Sequence, residues 1–151
     1  MHLIHQDFKT KGDKKMYIEL DNLLSGCTTA DSWYDDGCII AGDILTEFKT
    51  KDWEELLSIV LTKSLDLQKK LAYCLDSSCN SYELTILLLL LNTEDQDLFE
   101  ICIDTLRSFD ILELKKIVID NPLILKRIDE MLIKASSPVR KILEDFLLKI
   151  S

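Results

Sequence analysis

Glycine and proline together make up only six of the 151 residues, too few to punctuate a sandwich or barrel of short strands, and strict alternation of apolar and polar residues is scarce. What remains is an all-helical fold. Histidine is almost missing as well. His2 and His5 are the only two, so the usual base beside a serine or cysteine nucleophile is lacking. There is no glycine-rich phosphate loop. The longest apolar run, Leu84 to Leu91 with Thr85 inside it, falls far short of the roughly 20 residues that cross a bilayer. The N-terminus also lacks the apolar centre of a secretory signal. These absences point away from an enzyme, from a membrane span and from secretion.

Cysteine is present in odd number, at positions 27, 38, 74, 79 and 102. Three of the five sit inside apolar helical patterns, where a reduced thiol packs like a small hydrophobe, and this places the chain in a reducing, cytoplasmic setting. Cys74 and Cys79 have zinc-like spacing but no second pair of soft ligands, so no metal or cofactor is implied.

Positive charge is the other shortage. The formal net charge is -9, whereas a nucleic-acid binder clusters Lys and Arg to neutralise phosphates. A basic protein partner fits better, and nothing calls for nucleic acid or a small-molecule substrate. Residues 31 to 50 sum to -4 and residues 81 to 113 to -7, while residues 114 to 151 sum to +3.

The hydrophobic content of 47% suits one soluble domain spanning 1–151, with residues 1–13 expected to be loosely held. Nine short helices are expected. The first covers 14–24 and stops at Ser25-Gly26; the second opens at an Asp31-Ser32 cap and runs to about Lys49. Gly37 and Gly42 within it signal either close packing or a kink. The third starts near Lys51-Asp52 with Trp53, Leu56, Leu57, Val60 and Leu61 inward, and the fourth follows from Asp66. After a loop at 77–81, a nearly all-apolar fifth helix runs from Tyr82 to Leu91, and a sixth from the Thr93–Gln96 cap to Phe109. Asp110, Asn121-Pro122 and Ser137-Pro138 begin the last three.

These segments echo each other: Leu56 to Leu84 is 28 residues and Leu71 to Ile101 is 30. Such a period suggests HEAT-like antiparallel pairs stacked as an alpha-solenoid, with an irregular helical bundle as the alternative. The pairing expected is three with four, five with six and seven with eight.

Two acidic stripes stand out. Asp36, Asp43 and Glu47 on the second helix lie within about 20° of one line. Glu94, Asp97, Glu100 and Asp104 form a broader ridge on the sixth, opposite Leu98, Cys102 and Leu106. They are either solvated faces or a surface for a basic partner. Like charges at these spacings cost helix stability, which favours the second reading. Tyr34, with Asp35 and Asp36 beside it, is a candidate interface anchor, whereas Trp33 and Trp53 read as core.

Asp52-Trp53-Glu54-Glu55-Leu56-Leu57 and Gln68-Lys69-Lys70-Leu71-Ala72-Tyr73-Cys74-Leu75 give the chain its resemblance to a known group. It resembles the small acidic HEAT-like immunity proteins of bacterial contact-dependent growth inhibition and related polymorphic toxin systems. The resemblance implies a cytoplasmic, non-catalytic protein that binds a cognate toxin C-terminal domain, often a nuclease, as a 1:1 heterodimer and occludes its active site. A helical-repeat scaffold or adaptor for a basic cellular partner is the alternative.

Overall fold

The computed structural model describes residues 16–26, 33–75 and 81–151. Among these residues the chain is nine α-helices with no strand. They are α1 (16–25), α2 (Cys38–Thr46), α3 (Thr50–Ile59), α4 (Leu65–Cys74), α5 (Ser81–Leu91), α6 (Gln96–Leu106), α7 (Ile111–Asp120), α8 (Leu123–Leu132) and α9 (Ser137–Ile150). A five-residue π-helical turn, Trp33–Gly37, leads into α2, and a 3-10 turn, Val60–Thr62, ends α3.

Short polar side chains set the helix starts. Ser64 Oγ accepts from Leu67 N–H at 3.2 Å to open α4, Asp95 Oδ1 accepts from Leu98 N–H at 2.9 Å to open α6, and Asp110 accepts from Leu112 N–H at 3.2 Å to open α7. Each satisfies a donor that the first turn leaves without an intrahelical partner. Pro138 lies in the first turn of α9, where its missing N–H costs nothing.

Contacts skip along the chain. α2 packs on α4, α4 packs on α6, and α3 packs on α5. This makes two layers, bridged by α5 against α6. The expected pair α5 with α6 therefore forms, but α3 meets α5 more than α4, and α7 meets α9 more than α8. The reason is that α9, not α8, packs beside α6 and closes that layer. α6 is thus enclosed by α4, α5 and α9, burying Leu98, Phe99, Cys102, Ile103 and Leu106. On the other layer only Ser81 and Thr85 of α5 are exposed.

The second helix departs most from expectation. It does not run unbroken to Lys49 but begins as the π turn and stops at Thr46, and its proposed Asp31-Ser32 cap lies outside the described residues. The third helix also loses register: tightening to 3-10 at Val60 turns Leu61 outward, leaving it 58% exposed. Trp33 and Trp53 are both core, each 1% exposed, with Trp53 stacked on Tyr82 at 6.1 Å.

A buried lysine holds the α2 end together. Lys70 on α4 donates to Leu24 O (3.4 Å) and Gly26 O (3.2 Å) at the C-terminal end of α1, pairs with Asp66 (3.2 Å) and lies 5.6 Å from the Trp33 ring centroid. A cation there satisfies carbonyls left over at a helix end and complements its partial negative charge.

Gly37 owes its place to Trp33. A Cβ at Gly37 would lie 2.4 Å from Trp33 Cε3, whereas one at Gly42 would meet nothing within 4 Å. Gly37→Ala is therefore expected to destabilise the fold by about 1–3 kcal/mol through overpacking. Gly42→Ala should stabilise it by up to about 1 kcal/mol through helix propensity. Chemical denaturation of the two variants checks these opposite signs; equal effects would remove the packing explanation.

Candidate protein-binding surface

The two acidic stripes belong to one layer but differ in electrostatic surroundings. On the α2 side Asp36, Asp43 and Glu47 are all exposed, and no ion pair among the described residues compensates them. Tyr34 and Asp35 lie on the π turn, and their side chains are outside the described set. Between the carboxylates stand Ile39 and Ile40, 61% and 49% exposed. Their spacing from Asp36 and Asp43 was enough to place them on the same face, so this apolar centre was open to sequence reasoning and missed.

The α6 ridge is divided. Asp97 is exposed and faces Lys69 of α4 at 3.5 Å, and the same lysine lies 3.7 Å from Asp95. Asp104 is half-buried and pairs with Arg107, whose guanidinium also donates to Asp145 of α9 at 2.9 Å. Lys149 donates to the Arg107 carbonyl. The expected row of unbalanced charge is thus partly neutralised by cations that α4 and the turn after α6 supply. Asp104 holds α6 to α9 instead of standing open.

The ridge's N-terminal part faces a cleft of about 690 Å³ whose charged lining includes Glu94, Asp97 and Glu100 on one side and Arg127, Glu130 and Lys134 on the other. The last three come from α8 and the turn after it, about thirty residues on, so spacing along α6 could not reveal them. Arg127 is already committed: it donates to the Thr93 carbonyl and sits 4.3 Å from the Phe99 ring centroid. Burial, with Asp97 and Asp95 adding to it, pushes the Glu100 carboxyl above the usual range.

Chemically the surface offers carboxylates and little else. Both histidines fall outside the described residues, and among those described no group of three or more His, Cys, Asp or Glu suits a metal. Burial pushes the Cys102 thiol up to about 12, the wrong direction for a nucleophile. No described helix is long and apolar enough to cross a membrane. No protein-family model, curated protein or solved structure matches the chain.

Two outcomes follow. Arg107→Ala is expected to cost about 1 kcal/mol, because partly exposed pairs are weakened by solvent, and to loosen α9 before the rest; hydrogen exchange resolved along the chain measures it. For Glu100 the folded state holds its proton more tightly than the unfolded chain, so stability falls as pH rises above about 4.3, the unfolded value. Glu100→Gln should melt higher than the wild type at pH 7 and match it below about pH 4. A melting difference that does not depend on pH would contradict this account.

Proposed function

We propose that this protein works by binding, without chemistry of its own, and that its partner presents a basic surface. The observation that carries the reading is the α2 face, where Asp36, Asp43 and Glu47 surround exposed Ile39 and Ile40 and find no cation within the described chain. An apolar centre with a charged rim is the usual anatomy of a protein interface, and the unbalanced carboxylates would steer a basic partner toward it.

In its specific form the proposal is an immunity protein acting in the cytosol, whose partner is a cognate toxin domain, a nuclease above all. Such a domain must display Lys and Arg to hold nucleic acid, and an acidic surface competes for those residues. The resemblance of segments 52–57 and 68–75 to HEAT-like immunity proteins supports this form. The skipping contacts of α2, α4 and α6 support the adaptor reading as well, since layered helices serve both.

The test follows from the ion pairs. Reversing Asp104 would break its link to Arg107, so the informative variant is Asp43→Lys with Glu47→Lys. In the complex with a basic nuclease domain co-purified from the native source, this variant is expected to associate at least tenfold more slowly. The wild-type rate should fall steeply with salt. A rate unchanged by both would reject the acidic-face proposal, and a non-toxin partner bound through the same face would select the adaptor.

A further inference from the structure

Strongly exposed aliphatic side chains also lie at the other end of the molecule. On α7, Leu112 and Ile119 are 75% and 77% exposed, and the two residues on the same face between them, Lys115 and Lys116, are exposed too. Positions i, i+3, i+4 and i+7 share an arc of about 100° on a helix. The face therefore reads aliphatic, lysine, lysine, aliphatic. The α2 face has the same spacing in complementary form: Asp36, Ile39, Ile40 and Asp43 read carboxylate, aliphatic, aliphatic, carboxylate, with Glu47 one turn on. Among the described residues neither lysine of α7 and no carboxylate of α2 takes part in an ion pair.

The two faces lie far apart in the stack. α2 packs on α4 and α7 on α9, with α6 between α4 and α9. They do not cover each other within one chain, and each sets exposed aliphatic side chains beside charges of one sign that no ion pair among the described residues balances.

We propose that the protein self-associates head to tail, the α7 face of one copy docking on the α2 face of the next. With the two helices antiparallel, Ile119 meets Ile39 and Ile40 while Lys115 and Lys116, one turn on, meet Asp43 and Glu47. The overall charge of -9 opposes association, but beyond about 8 Å physiological salt screens it, whereas the facing charges are within that range. Two different patches make a heterologous contact, which continues into open chains of copies unless its rotation closes a ring. A helix-on-helix contact is smaller than the about 1,200 Å² of a stable interface, so association is weak, with a Kd on the order of 10⁻⁴ M. The inference does not require the toxin reading, but the proposed partner and a second copy would compete for α2.

Analytical ultracentrifugation of the full chain tests it. The wild-type mass is expected to rise with concentration past the dimer. Asp43→Lys/Glu47→Lys and Lys115→Glu/Lys116→Glu should each be monomeric, and their equimolar mixture should again associate past the dimer, since the native faces of the two variants pair and so do their reversed ones. Combining all four changes in one chain should restore association with the charges exchanged. Circular dichroism confirms that the exposed substitutions leave the helices intact. A wild type that stays monomeric to about 1 mM overturns the proposal. So does association indifferent to Lys115 and Lys116, or a monomer that uses those lysines to bind anionic vesicles instead. Self-association can fail while the basic partner still binds α2, and the reverse, so the two proposals are separately tested.

Discussion

The enclosure of α6 by α4, α5 and α9 is the constraint on which the rest of the structure turns. Leu98, Phe99, Cys102, Ile103 and Leu106 are withdrawn from water on three sides, each large side chain contributing about 1.5–3 kcal/mol by burial. A helix so surrounded retains only a narrow solvent stripe, and Asp97, Glu100 and Asp104 occupy it. One of the neighbours that bury the apolar side, α4, brings Lys69 to the edge of that stripe, and another, α9, holds through Asp145 and Lys149 the Arg107 that pairs with Asp104. Packing and compensation have one cause.

α2 stands in the opposite position. It is held to the π turn and to α4, where Lys70 pins α1 and Trp33, and Trp33 in turn packs on Gly37. With one packed flank it has few neighbours to donate a cation, and its carboxylates keep their full effect on solvent. An acidic residue at the edge of a layer therefore says more about a partner than one in the middle, although both look alike in the sequence. The α7 face is an edge of the same kind with lysines in place of carboxylates. Competition between another copy and a partner for α2 would couple the amount of free surface to the protein's own concentration.

Much of the fold was legible because helix period and caps are local. Ser64, Asp95, Asp110 and Pro138 mark helix starts through hydrogen bonds or fixed backbone angles within a few residues, and Trp53 declares its burial by its place on an amphipathic face. Of the surface, the exposure of Asp36, Asp43 and Glu47 was legible for the same reason. The pairing of α3 with α4 and of α7 with α8 was misread because a repeat spacing says that helices stack, not which ones touch. The register of Leu61 was lost because a 3-10 turn leaves no mark in a run of apolar residues.

By itself the sequence determined the all-helical class, the capped helix starts from α4 onward, the buried tryptophans and the acidity of the α2 and α6 faces, since each depends on residues within one or two turns of each other. Only the tertiary structure decided that α9 rather than α8 closes the layer at α6, that Asp104 is an internal tie, that Glu130 and Arg127 face Glu100 across a cleft, and that Lys70 is buried. Those outcomes depend on pairs about 27 or more residues apart, whose meeting is set by how whole helices fill space and not by any pattern along one of them.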